Sequence, residues 1–210
     1  MKKIFFSILA ISAISITACN NNSSKSETEK HDMNNMGKDS TPHATVTDDK
    51  DVKAVSVVYT NVDAKAAASI KEIVDHYLHI KYALANDDGG EAANGAKAMK
   101  TALSKLDKSL LTAEQKTAYD KNEEEFKEHA EHIAKNGDKI DHQRSHFAML
   151  SEVAYDLVKN FGAGRSLYHV HCPMYNENKG AMWLNESKEV KNPYFGSKML
   201  TCGTVEEVIK

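Results

Sequence analysis

The sequence lacks most of the features that announce an activity. Only three cysteines occur among 210 residues, and 27 Lys and Arg stand against 30 Asp and Glu. The formal net charge of −3 comes without a basic cluster, so the electrostatic footprint of a nucleic-acid binder is missing. There is no Gly-rich phosphate loop and no nucleophile elbow, and nothing points to an enzyme. A Cys-x-x-Cys pair is absent, which argues against a thiol oxidoreductase. His171 and Cys172 are adjacent, but neighbours on an extended chain point to opposite faces, which argues against direct base assistance. Beyond the N-terminus no apolar run is long enough to cross a membrane, and no repeat of solenoid length occurs.

What is present begins with targeting chemistry. Lys2 and Lys3 precede an apolar stretch, residues 4–16, too short for a permanent membrane span. It ends in Ile16-Thr17-Ala18-Cys19, the aliphatic, small, small, cysteine order of a lipobox. Residues 1–18 are thus expected to be a lipoprotein signal peptide, with the mature chain starting at a lipid-modified Cys19. That places the protein in the cell envelope, facing the periplasm and tied to a membrane, the outer membrane by expectation. With Lys2 and Lys3 removed and no polybasic patch, the lipid must serve as the whole anchor. Residues 19–53 are polar and lack apolar periodicity, as a disordered tether does. His31, Met33, Met36 and His43 lie in it. Thioethers beside imidazoles can capture copper or silver ions, although a solvated linker that merely contains them is the plainer account.

Residues 54–164 are helical in pattern. Ile70, Val74, Tyr77, Lys81 and Leu84 follow three- and four-residue steps, widened by Ile73 and Ile80. Residues 86–90 read as a turn, and a second stripe carries Ala92, Ala96, Met99, Leu103 and Leu106. Thr112 with Gln115 fits a capping box opening a third helix with Tyr119, Phe126, Ala130 and Ile133 inward, stopped by Asn136-Gly137. A fourth helix, about residues 138–161, turns Phe147, Leu150, Ala154, Leu157 and Phe161 inward and ends at Gly162. Four amphipathic helices with short connections predict an all-α fold, an up-down four-helix bundle. Residues 165–210 carry mostly turn chemistry, with a short strand over 166–171 and a last helical turn over 204–209. This stretch is expected to be an irregular appendage packed on the bundle.

That appendage holds the softest donors. Cys172-Pro173-Met174 and Met199-Leu200-Thr201-Cys202-Gly203 each place a thiol near a thioether, and His169 and His171 stand just before the first. If the halves meet, Cys172, Met174, Met199 and Cys202 form a site suited to Cu(I), with His169 or His171 as a supplement. Zinc would instead use Cys172, Cys202, His169 and His171, because it does not take Met. A disulfide between Cys172 and Cys202, with no metal at all, is an equal reading. It would restrain the unfolded chain by roughly 3–4 kcal/mol.

These residues carry a resemblance. The run from Tyr168 to Met174, then Gly180, Trp183-Leu184, Asn192-Pro193-Tyr194-Phe195-Gly196 and Met199-Leu200-Thr201-Cys202-Gly203 resembles the domain of unknown function 3347 family. Leu110-Leu111-Thr112, Glu128-His129-Ala130-Glu131-His132-Ile133 and His142-Gln143-Arg144-Ser145-His146-Phe147 are similar to its helical motifs. The family occurs in envelope lipoproteins and at the end of periplasmic adaptors of heavy-metal efflux pumps. The resemblance therefore implies copper or silver handling, with an efflux adaptor or a metallochaperone as partner. By position, Cys172, Met174, Met199 and Cys202 take the family's sulfur motif, and His129, His142 and His146 its helical histidines, as ligands or as structural residues.

Six of the ten histidines lie in pairs on single helical faces: His76 with His79, His129 with His132, and His142 with His146. Antiparallel packing across the turn after Ile133 could bring the last two pairs together, with Glu125 and Glu128 able to add carboxylates. The Glu-x-x-His repeats of carboxylate-type bundle centres are missing, and the pairs flank the apolar stripe. Taken alone they read as partly buried, hydrogen-bonded imidazoles before they read as a metal centre. Together these features lead to the expectation of a lipid-anchored envelope protein binding a soft metal ion, Cu(I) first, for sequestration or delivery to efflux. The alternative is a disulfide-stapled interaction module.

Overall fold

The structure, a computed structural model, describes residues 52–210. The expected signal peptide, Cys19 and, in the expected tether, His31, Met33, Met36 and His43 lie outside the described residues.

Asp63 caps α1 (Ala64–Ala85), its carboxylate accepting the backbone N–H groups of Lys65 and Ala66 at 2.8 and 3.3 Å. The stripe of Ile70, Ile73, Val74, Tyr77, Ile80, Lys81 and Leu84 is buried throughout, as a 3.6-residue period against a core demands. The turn is shorter than its sequence suggests. Asp87 takes the left-handed conformation, Asp88 caps the next helix through the Glu91 N–H, and α2 (Gly89–Lys105) starts on the two glycines. Ala92, Ala96, Met99 and Leu103 face inward. α3 (Ala113–Lys135) opens with the predicted capping box, in which the Gln115 N–H donates to the Thr112 hydroxyl and the Thr112 N–H to the Gln115 side chain. α4 (Ile140–Phe161) ends at Gly162, whose φ of 74° suits a residue without a Cβ. The helices pack as sequential neighbours, α1 also meets α4, and their stripes share one core.

The fold is mostly helical but not all-α, and the expectations for residues 165–210 need correction. That segment builds three strands of a four-stranded sheet, to which Lys53–Val55 adds the fourth. β2 (Leu167–Cys172) pairs antiparallel with β3 (Ala181–Asn185) on one side and β4 (Thr204–Ile209) on the other. β1 (Lys53–Val55) adds parallel to β4, with Lys53 opposite Glu207, so the last residue assigned to the tether is already in a strand. Residues 204–209 are likewise a strand and not a helical turn. The register of β4 on β2 jumps between Glu207 and Val205, leaving Glu206 as the extra residue of a bulge. The bulge breaks the alternation of apolar and polar residues by which a strand is recognised.

Three buried contacts fasten the sheet and its loop to the helices. The Tyr77 hydroxyl accepts the Leu184 N–H at 3.0 Å, and Lys81 Nζ donates to Asn185 Oδ1 at 2.7 Å. Arg144 donates to the Pro193 and Leu84 carbonyls at 2.9 and 3.0 Å and to Asp87 at 2.6 Å. Gly196 lies against Asp87 and Arg144 at positive φ, where a Cβ would collide with both. Among the described residues no helix is long and apolar enough to cross a membrane.

Candidate metal centre

The last turns of α3 and the first turns of α4 face each other across the 136–139 connection. Spacings of three and four residues put His129 and His132 on one face of α3 and His142 and His146 on one face of α4. Packing of the two helices joins the pairs. One ring nitrogen each from His132, His142 and His146 lies within 4.8 Å of the others. His132 Nδ1 is 3.4 Å from His142 Nε2, and His129 Nδ1 is 3.2 Å from His146 Nδ1. The His132 and His146 rings stack, with centroids 4.0 Å apart and planes 7° from parallel. Gln143, fully buried between these histidines, donates to the Gly89 and Ile133 carbonyls at 2.9 and 3.0 Å and so ties this end of α2, α3 and α4 together. Asn136 donates to the His132 carbonyl at 2.8 Å, closing the end of α3.

The cluster offers imidazole nitrogens as its donors. Burial, then the neighbouring imidazoles of His132, His142 and His129, push His146 down to about 4. Burial also lowers His129. His146 therefore stays neutral near pH 7 and keeps a lone pair, with little competition from protons. Metal–imidazole bonds of about 2.0–2.1 Å around a tetrahedral ion imply nitrogen–nitrogen edges of roughly 3.3–3.4 Å, the spacing that His132 and His142 already hold. Among the described residues no carboxylate joins the triad, and Glu131, beside His132 in sequence, is engaged by Lys100 and Lys135. His142 is exposed while His129 is buried, so the cluster has an open side and a closed one.

Of the histidines singled out by motif, His142 and His146 belong to the triad and His129 stands behind it. His132 completes the triad. Its spacing from His129 was the sequence signal, although the family motif alone does not select it. The His76–His79 pair lies elsewhere, with His79 paired to Glu91 at 2.7 Å.

The sulfur segment divides. Cys172 at the end of β2 and Cys202 just before β4 come together, Sγ to Sγ 3.2 Å, as two free thiols. Cys172 is fully buried, and burial beside Cys172 pushes the Cys202 thiol up to about 11. Met199 is half-buried in the turn where its carbonyl accepts the Cys202 N–H at 3.1 Å, and Met174 is exposed. His169 and His171 lie on the opposite face of β2 from Cys172, as strand alternation requires. Their Nδ1 atoms are 3.3 and 3.5 Å from the Glu206 carboxylate, and His169 also packs on Tyr155 of α4. The bulge at Glu206 aims this carboxylate at both imidazoles.

Residues 73–166 match the model of a family described as a protein of unknown function (DUF3347). The matched segment contains the whole histidine cluster and ends before both cysteines. No curated protein and no solved structure matches the chain.

Proposed function

We propose that this chain, a member of the DUF3347 family through residues 73–166, is a metal-binding protein of the cell envelope that takes copper at His132, His142 and His146. The observation that carries the reading is the convergence of three imidazole nitrogens within 4.8 Å, contributed by two helices that a short turn holds in place. Copper is the preferred ion, because imidazole suits it and it heads the divalent affinity order; Cu(I) accepts the same donors. Three ligands leave a fourth position open, and an exposed His142 lets a second donor enter. Both suit an ion that is passed on for sequestration or delivery to efflux. We read the four helices as an up-down bundle, since antiparallel neighbours bring the end of α3 onto the start of α4. On this reading the chain is a binding protein and not an enzyme. Cys19 carries the lipid, the tether's His31, Met33, Met36 and His43 collect ions weakly, and an efflux adaptor or metallochaperone is the partner.

The test is competition of the purified, reduced protein for Cu(I), Cu(II) and Zn(II) against chromophoric chelators. One copper per chain is expected at this site, weakened at least tenfold by His142→Ala, whose side chain is exposed and expendable for folding. Failure of the wild type to compete, or equal binding by the variant, would remove the proposal. Binding of zinc alone would remove copper from it.

A second reading draws on the Cys172–Cys202 contact at 3.2 Å. The thiols can pass two electrons to an oxidised dithiol partner, lose two protons and become a disulfide that staples residues 186–203 over the sheet. That is the interaction-module alternative; kept reduced, the same pair with Met174 and Met199 offers Cu(I) a softer site. A thiol count on protein isolated without reductant separates the two, because the staple leaves no free thiol.

A further inference from the structure

We propose that His129 is a positioning residue that sets the tautomer of His146, accepting the His146 Nδ1–H on its own Nδ1 so that His146 offers its Nε2 lone pair to the ion. The inference rests on the metal reading of the triad. A neutral imidazole has one N–H and one lone pair, and the His129 and His146 Nδ1 atoms, 3.2 Å apart, face each other with room for one proton between them. Were His129 the donor, His146 would carry its proton on Nε2 and have no free lone pair for a metal. With His146 as donor, Nε2 is free. The stack on His132 and the edge contact with His142, with centroids 4.0 and 4.6 Å away, hold the plane of the His146 ring, and a 180° flip within that plane would put Cδ2 in place of Nδ1 and lose the contact with His129. His129 is itself only 7 % exposed and comes from the turn of α3 preceding His132, on the closed side of the cluster. It thus occupies the place of the outer-shell acceptor that a metal-bound histidine usually has on its second nitrogen.

Two measurements test this. Long-range nitrogen–proton spectra of the metal-free wild-type protein should show His146 protonated on Nδ1, and after Zn(II) is added His146 should coordinate through Nε2. Affinity for Cu(I) and Zn(II) should fall about 10–100-fold in His129→Ala. It should largely recover in His129→Asn, whose Oδ1 can accept in the place of Nδ1; this variant also guards against a folding defect in the alanine protein. An Nε2–H tautomer of His146 in the metal-free protein, coordination through Nδ1, or a folded His129→Ala that binds as tightly as wild type would overturn the inference. Failure of the wild type to bind either ion would sink the metal reading, while the metal-free tautomer would still decide the pairing by itself.

Discussion

The hydroxyl of Tyr77, midway along α1, accepts the backbone N–H of Leu184 in β3 at 3.0 Å while sharing a second hydrogen bond with Ser151 of α4 at 2.9 Å. One buried oxygen therefore links two helices to the sheet. Tyr77→Phe keeps the ring stacked on Phe147 but strands a buried N–H. A loss of about 1–3 kcal/mol is expected in urea denaturation. A loss within error of zero would mean that the link contributes nothing.

Lys81 is fully buried in the core-facing stripe, its Nζ bonded to Asn185 and lying over the Tyr82 ring. Burial, partly offset by Glu186, lowers its pKa from 10.5 to about 7. Between these values the unfolded chain holds a proton that the folded chain has released. Stability should therefore rise with pH through that window, by at most ~1.4 kcal/mol per pH unit from this group, and the gain is absent below about pH 7. Lys81→Met should flatten the slope in denaturation series from pH 7 to 10; an unchanged slope would assign it to other groups.

Oxidation should close Cys172 to Cys202 and stabilise the protein by roughly 3–4 kcal/mol, read as a rise in melting temperature that Cys202→Ser abolishes. Because the Cys202 thiol is pushed up to about 11, closure by oxidised glutathione should be slow at neutral pH and quicken as pH rises. Closure at neutral pH as fast as that of an unperturbed thiol would contradict the buried environment.

Gly203 joins Cys202 to β4 at φ 153°, and a Cβ there would stand 2.7 Å from the Trp183 ring. Gly203→Ala should cost about 1–3 kcal/mol through strain and displacement of the tryptophan. Trp183 is the chain's single tryptophan, so a red-shifted emission would report the displacement directly. Unchanged stability and emission would show that the loop yields freely.

The helical half of this fold was legible residue by residue. Each position assigned inward, from Ile70 to Phe161, is buried, and the Thr112–Gln115 box forms as spelled, because caps and stripes act within a few residues of each other. The sheet was not legible. β4 depends on β2 and β1, which are remote in sequence, and the unpaired Glu206 hides its alternation. The site was half legible. The His129–His132 and His142–His146 spacings marked the faces, but which three nitrogens converge depends on the rotation and depth of α3 against α4.

By itself the sequence determined four helices, their buried faces, a family resemblance, and two thiols with no other partner among the described residues, since each follows from local pattern or simple count. Only the tertiary structure decided that His132 joins His142 and His146 while His129 backs them, and that Cys172 meets Cys202 with His169 and His171 turned to the other face. Those are relations between side chains on different elements. They are set by how helices pack and strands register, which no local spacing encodes.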